Sequence, residues 1–144
     1  MNDRYLYRAK RTDNGEWITG YLLVKKKDFY ICEKPYECMD EYSSLNGQSY
    51  GFGGFKLVDP STICQCTGLK DKNGKLIWEN DIVRVTINSG STICRCAFAD
   101  TVAQFQLWQK HTIKSTSTVL NLGNYECEVI GNIFDNPELL ESEE

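Results

Sequence analysis

The sequence predicts a mainly β protein built as small barrels or sandwiches, with one short helical turn at the C-terminus. Many short segments alternate apolar and polar residues and end at turn residues, a spacing typical of such folds. Two of the three Asn-Gly pairs each separate two adjacent segments of this kind, and Asn-Gly favours tight hairpin turns. Helical signal is confined to residues 136–140, where Asn136 and Pro137 precede an acidic residue.

These two Asn-Gly pairs predict two β-hairpins, because these residues tolerate the positive backbone dihedrals of tight turns. The pairs and their flanking strands are Asn14-Gly15 between residues 5–10 and 17–24, and Asn73-Gly74 between residues 66–70 and 76–78. Further short strands are expected at residues 28–32, 82–87, 92–99, 102–108, 117–120 and 125–130.

In the strand at residues 82–87, the apolar residues Val83, Val85 and Ile87 alternate with polar ones. Successive side chains of a strand point to opposite faces of its sheet. We therefore expect one face of this strand to be buried and the other to meet solvent.

A domain boundary is expected near Pro60, which interrupts the β pattern shortly before the second hairpin. The chain then divides into an N-terminal β subdomain, residues 1–60, and a C-terminal β-barrel subdomain with an acidic tail, residues 61–144. Residues 1–60 carry no net charge, whereas residues 61–144 carry the whole net charge of −4.

Composition places the 144 residues among ordinary globular proteins and excludes a uniformly basic surface. No apolar run approaches the roughly 18 residues that span a bilayer, and the N-terminus lacks a segment of signal-peptide type. We therefore expect a cytoplasmic protein that has no membrane partner.

The seven cysteines of a cytoplasmic chain favour free thiols or metal ligands over a disulfide framework. Two Cys-x-Cys pairs, Cys64 with Cys66 and Cys94 with Cys96, could in principle supply four zinc ligands. When a single residue separates two cysteines on a strand, their sulfurs lie about 6.6–7 Å apart along the chain. The cysteine pairs of zinc sites usually have two to four intervening residues. Core packing is therefore favoured over zinc, and no metal or cofactor is assigned.

A group of basic and aromatic residues near the first hairpin suggests a nucleic-acid interface as an alternative function. Lysine and arginine can contact phosphates, while tryptophan and tyrosine can stack on bases. A solvated hairpin end would explain the same residues. The group comprises Arg8, Lys10, Arg11, Trp17, Tyr21, Lys25, Lys26 and Lys27, with Tyr30 nearby.

Catalytic signals are weak. His111 is the single histidine and has no recognisable nucleophile motif beside it. Glu79 and Asp81 could bind a cation, but turn chemistry explains them better. The sequence contains no glycine-rich phosphate loop, zinc-protease helix or nucleophile elbow, so we expect a protein that is not an enzyme.

Three ordered blocks of residues resemble the YopX family of bacteriophage and prophage proteins along nearly the whole chain. The blocks lie at residues 7–22, 59–83 and 128–140, and the middle one, from Asp59-Pro60-Ser61-Thr62-Ile63 to Asp81-Ile82-Val83, is the most specific. Where that family commonly has Gly before Asp-Ile-Val, this chain has Asn80, which can adopt the same backbone conformation at modest cost. The two Cys-x-Cys pairs lie outside the family pattern.

The resemblance implies small barrels of Src-homology-3-like type, a phage or prophage origin, a bacterial host cytoplasm and no known biochemical role. It carries over no catalytic or binding residues. We therefore expect a non-enzymatic interaction or scaffold module that self-associates and binds an unknown phage or host protein, since many short strands leave edges that subunits can pair.

Overall fold

A computed structural model describes residues 3–33, 54–87, 90–100, 103–109, 119–121, 123 and 125–141. Strands dominate these residues, which confirms the mainly β prediction. The strands are β1 (Tyr7–Lys10), β2 (Trp17–Lys25), β3 (Asp28–Cys32), β4 (Phe55–Leu57), β5 (Cys64–Lys70), β6 (Leu76–Trp78), β7 (Asp81–Ile87), β8 (Gly90–Ala99), β9 (Gln104–Gln109), β10 (Val119–Asn121) and β11 (Cys127–Asn132).

Helical structure in the described part of the chain is limited to short turns. Helix α1 (Glu138–Glu141) follows Pro137 as the sequence predicts, and 3-10 turns lie at Asp3–Tyr5 and Pro60–Thr62. The side chain of Asn136, the predicted cap residue, contacts the preceding turn, because its Oδ1 accepts a hydrogen bond from the backbone N–H of Asn132 at 3.2 Å. None of these helices is long and apolar enough to span a bilayer.

The chain divides into two compact units, Met1–Gln65 and Cys66–Glu144. The division falls inside β5, a few residues after the boundary expected from Pro60. In the first unit, antiparallel pairing gives the strand order β4-β3-β2-β1, and Cys64 and Gln65 of β5 then pair with β1. Its buried core consists of Ala9, Ile18, Ile31 and Val58.

The segment around Pro60 is hydrogen-bonded along β1. Thr12 N–H donates to the Leu57 carbonyl at 3.1 Å, and Asp59 N–H donates to the Lys10 carbonyl at 2.9 Å. Farther along, Lys10 N–H donates to Thr62 Oγ1 at 2.8 Å. Proline starts a one-turn kink in a segment that otherwise stays extended along β1.

In the second unit, the later part of β5 pairs with β6, and the remaining strands form a five-stranded antiparallel sheet in the order β10-β9-β8-β7-β11. The predicted alternation in β7 is confirmed from Val83 to Thr86, since Val83 and Val85 are buried and Arg84 and Thr86 are exposed, but Ile82 on the Arg84 side is also buried. The buried core of this unit consists of Ile77, Val83, Val85, Cys94, Cys96, Leu107 and Cys127. The described ladders fit the predicted class, whereas the Src-homology-3-like barrel stays a prediction.

Both predicted hairpins are present, but their turns differ from the expected geometry in one respect. Gly15 and Gly74 adopt positive φ (75° and 84°), whereas the asparagines before them do not. In the second hairpin, Gly74 N–H donates to the Asp71 carbonyl and Asp71 N–H donates to the Lys75 carbonyl. This is the pattern of a three-residue loop closed by a left-handed glycine.

The Asp71 carboxylate ties that hairpin to β11. Its Oδ1 accepts hydrogen bonds from Asn73 N–H and Lys75 N–H at 2.8 and 2.9 Å, and its Oδ2 accepts one from Val129 N–H at 2.9 Å. Lys72 N–H donates to the Cys127 carbonyl at 2.9 Å. Burial by itself would raise the pKa of Asp71, but the bonds from Val129, Lys75 and Asn73 outweigh it and lower the pKa.

We expect Asp71→Asn to destabilise the protein by about 2–4 kcal/mol at pH 7, because in either orientation the new amide N–H₂ faces at least one main-chain N–H donor. The lowered pKa of Asp71 means that its stabilisation is complete above about pH 4 and is lost as the pH falls further. Urea unfolding at pH 7 and pH 3 measures both effects. Asp13→Asn is the control, because its ion pair with Arg11 is exposed to solvent and such pairs stabilise proteins little. Equal stability of the Asp71→Asn variant and the parent at pH 7 would contradict this role.

Candidate functional site

The first hairpin brings together five of the eight basic and aromatic residues that the sequence singled out. Lys10 pairs with Trp17 and Arg8 with Thr19 across β1 and β2. Residues opposite each other in an antiparallel pair share a face, as do alternate residues along one strand. One side of the sheet therefore carries the basic aromatic face, which consists of Arg8, Lys10, Trp17, Tyr21 and Lys25.

The indole ring of Trp17 attracts two cations on this face. Arg8 Cζ lies 4.7 Å from the ring centroid and Lys10 Nζ lies 5.4 Å from it. Both distances are within the range of cation–π attraction, which favours a positive charge over the π-system of tryptophan. The ring thus has partners within its own unit, which differs from an open base-stacking platform.

The remaining three predicted residues lie off this face. Arg11 forms a two-pronged ion pair with Asp13, with Nη2 to Oδ2 at 2.7 Å and Nε to Oδ1 at 2.9 Å. That hydrogen-bonded partner raises the pKa of Arg11 and lowers the pKa of Asp13. Lys26 and Lys27 form the exposed turn between β2 and β3, with Lys26 at a φ of 58°.

Two more aromatic residues share the side of the basic aromatic face. Tyr30 pairs with Leu23 on β2, and Phe55 pairs with Cys32 on β3. The sequence pointed to Tyr30 but missed Phe55, because β4 is three residues long and shows too little alternation to be recognised.

A second surface that sequence reasoning missed lies on the five-stranded sheet, on the side opposite its core. Arg95 pairs with Trp108 across β8 and β9, and Ile93 pairs with Arg84 across β7 and β8. Trp108 is 37% exposed. We call this surface the Trp108 face, and it consists of Arg84, Ile93, Arg95, Gln106 and Trp108.

Phe98 provides a useful contrast, since it lies on the core side of the same sheet. It is 41% exposed and packs edge-to-face against Phe105, with ring centroids 5.0 Å apart. The two faces of the β8–β9 hairpin thus each carry a partly exposed aromatic side chain.

The four cysteines weighed as zinc ligands are fully buried on their strands, as the core interpretation predicts. Cys94 and Cys96 pack in the core of the second unit together with Cys127, which the sequence analysis did not single out. In the part of the chain that the structure describes, no three His, Cys, Asp or Glu side chains are placed to hold a metal ion. Cys32 is disulfide-bonded, so the expectation of free thiols is wrong for that residue.

Burial raises the pKa of these core thiols. The pKa of Cys94 rises to about 12, through desolvation first and the charge of Cys127 second. Desolvation also raises the pKa of Cys96 and of Cys127, and the carboxylates of Asp81 and Asp71 respectively add to the rise. The thiols are therefore protonated at neutral pH.

Asp81 stabilises the turn before β7 through a hydrogen bond to the main chain, as the interpretation favoured over cation binding predicts. The residue is 1% exposed, and its Oδ2 accepts a hydrogen bond from Trp78 N–H at 2.8 Å. Asn80 before it has a φ of 72°, which confirms that asparagine takes the left-handed conformation here. The prediction for His111 falls outside the described residues.

Other polar residues of the three blocks also bind main-chain groups. Asp59 Oδ1 accepts from Ser61 N–H at 3.0 Å and caps the 3-10 turn, while Thr62 Oγ1 donates to the Asp59 carbonyl at 2.7 Å. After β11, Asn132 Oδ1 accepts from the backbone N–H groups of Phe134 and Asp135, both at 2.9 Å. The polar groups of these side chains are used to stabilise turns and kinks of the main chain. We therefore look for candidate binding surfaces among other residues.

We expect alkylation of the buried thiols by iodoacetamide at pH 8 to be about a hundredfold or more slower in the folded protein than in the denatured protein, because the thiolate is the reactive species. Mass spectrometry of peptides containing Cys94, Cys96 and Cys127 measures each rate. Repeating the reaction with a chelator, together with zinc analysis, separates burial from metal binding. A native Cys94 rate equal to the denatured rate would contradict the burial argument.

Comparison with known families agrees with the three blocks. A search of curated proteins finds no match to this chain. The YopX protein family model matches residues 6–141, which is nearly the whole chain. The chain therefore belongs to the YopX family.

Proposed function

We propose that this chain is a non-enzymatic protein-interaction or scaffold module of a phage or prophage that associates with itself in the bacterial cytoplasm. The observation that carries the proposal is the Trp108 face, where a tryptophan 37% exposed lies beside Arg95 on a sheet surface. Tryptophan and arginine are enriched in protein interfaces and supply most of their hot spots.

The charges near this face suit contact between identical copies. Arg84 and Glu128 form an exposed ion pair at 3.2 Å on neighbouring strands β7 and β11. A twofold interface places the same patch on both subunits, so each patch must complement itself. A patch with both charges meets this condition, because Arg84 of one copy can approach Glu128 of the other.

A non-catalytic role is supported by the way the buried carboxylates are used. Asp71 and Asp81 accept hydrogen bonds from backbone N–H groups, which satisfies these carboxylates locally. General acid–base catalysis requires a titratable group within reach of a substrate proton. Carboxylates committed to main-chain donors are poorly suited to that work.

We expect the protein to form oligomers that Trp108→Ala weakens about thirtyfold, equivalent to about 2 kcal/mol, because an interface tryptophan is a hot spot. Size-exclusion chromatography with light scattering over a concentration series measures this change. Phe98→Ala, on the other side of the same sheet, is the matched control. A monomeric parent at all concentrations, or equal association of the two variants, would refute the proposal.

A second candidate function is binding of single-stranded nucleic acid at the basic aromatic face. The observation that favours it is the common face shared by Arg8, Lys10, Lys25, Trp17 and Tyr21. Cations that contact phosphates and aromatic rings that stack on bases are the two components of such surfaces.

We expect this second function to appear as anisotropy of labelled oligothymidine that rises at low salt and falls at moderate salt, because phosphate contacts release counterions. Lys25→Gln should weaken binding and reduce the salt dependence by about one unit of slope. Arg11→Gln is the control, since Arg11 is paired with Asp13 away from the face. Absence of binding at low salt rejects this candidate.

A further inference from the structure

In the part of the chain that the structure describes, one edge of strand β2 extends beyond its partner β1. Pairing between β1 and β2 ends at Tyr7 opposite Gly20, whereas β2 continues for five more residues to Lys25. On its other side, β2 pairs with β3 from Tyr21 to Lys25. Within the described residues, no strand therefore covers the β1 side of β2 beyond Gly20.

Backbone groups of Leu22 and Val24 point to this edge. Phe29, the partner of Val24, directs its carbonyl away from β2, where it accepts a hydrogen bond from Val58 N–H at 2.9 Å. In an antiparallel pair that is not hydrogen-bonded, both residues direct their N–H and C=O groups outward. Val24 therefore presents both groups at the open edge, and Leu22 does the same because it lies two residues away.

At two other strand edges, the outward main-chain groups are hydrogen-bonded within the protein. At β11, Lys72 N–H donates to the Cys127 carbonyl, and the Asp71 carboxylate accepts the bond from Val129 N–H. At the end of β4, the Leu57 carbonyl accepts a hydrogen bond from Thr12 N–H. Proteins usually protect such edges from pairing with other chains. No described residue donates to or accepts from the outward main-chain groups of Leu22 and Val24, and Val24 is 52% exposed, so this edge is suited to accept a strand.

Charge indicates the chemistry of that strand. Lys25, Lys26 and Lys27 are all exposed at the end of the open edge, where β2 turns into β3. An antiparallel strand beside β2 would begin next to these lysines and then pass Val24 and Leu22. Its N-terminal residues would thus meet the exposed Lys26 and Lys27, and alternate residues after them would lie beside an apolar surface.

The geometry points to the open edge of β2 as a docking site for an extended segment of another protein, acidic at its N-terminal end and apolar at alternate positions after it. The segment adds an antiparallel strand, so main-chain hydrogen bonds to Leu22 and Val24 provide affinity and the lysines provide orientation. This binding mode does not depend on the Trp108 face or on self-association.

The test uses the full chain and a fluorescein-labelled peptide of three glutamates followed by alternating valine and threonine. Fluorescence anisotropy should show binding that weakens about tenfold or more with Val24→Pro, which removes the outward N–H but keeps the β2–β3 ladder. Val24→Thr, which keeps the N–H, should bind within about threefold of the parent. Equal binding of the two variants would overturn the proposal.

Two further measurements test the charge and the edge separately. A peptide with lysines in place of glutamates, and one with the glutamates at its C-terminal end, should each bind at least about tenfold more weakly. Equal affinity of either peptide would exclude the proposed orientation. If oligothymidine displaced the acidic peptide and itself bound Val24→Pro as tightly as the parent, the lysines would be a nucleic-acid site instead.

Hydrogen exchange gives a readout independent of affinity. In the free protein, the amides of Leu22 and Val24 should exchange quickly, whereas that of Leu23, which pairs with Tyr30, should be protected. Addition of the acidic peptide should slow Leu22 and Val24 and leave Leu23 unchanged. Protection of Leu22 and Val24 before the peptide is added would show that the edge is already occupied and would overturn the proposal.

Discussion

The carboxylate of Asp71 holds two parts of the second unit together through three main-chain hydrogen bonds. Two of these bonds shape the loop of the second hairpin, and the third reaches Val129 on β11. With the bond from Lys72 to Cys127, the loop replaces the strand that would otherwise pair with the outer side of β11. Cys127 of β11 therefore contributes to the buried core, while the outer edge of the same strand is covered by the hairpin loop.

Polar residues that carry the family resemblance perform related main-chain tasks elsewhere. Asp59 caps the kink beside β1, Asp81 accepts the Trp78 N–H, and Asn132 organises the turn after β11. These residues specify backbone geometry, which explains why they identify the family without identifying an activity. The exposed candidates, Trp108 and Val24, contribute to neither core of the two units, so their chemistry can change without altering that framework.

Alternation and turn residues were sufficient to predict most strands and both hairpins, because each depends on neighbours in the sequence. The three-residue β4 was too short for its alternation to be recognised. The interruption of the β pattern at Pro60 corresponds to a 3-10 turn, which sequence alone does not distinguish from a loop. A carboxylate in a hydrophilic hairpin such as Asp71 gives no sequence signal of burial.

The candidate surfaces were less predictable than the fold, because they depend on register between strands. Local sequence placed Lys10 near Trp17 across a short turn, and the structure agrees. The pairing of Arg95 with Trp108, by contrast, requires the register of β8 and β9, and the short β4 hid Phe55. The register between β1 and β2 also determines that β2 extends five residues beyond its last pair with β1. No pattern within either strand reveals this difference in length.

The position of the boundary between the two units, within β5, affects how such a chain can evolve. Exchange of modules between genes is easiest where a crossover falls in a loop, since each part then keeps its elements whole. Here a crossover between Gln65 and Cys66 would split a strand whose first residues pair with β1 and whose later residues pair with β6. Recombination at this point would have to supply a matching half-strand, so we expect the two units to be inherited together.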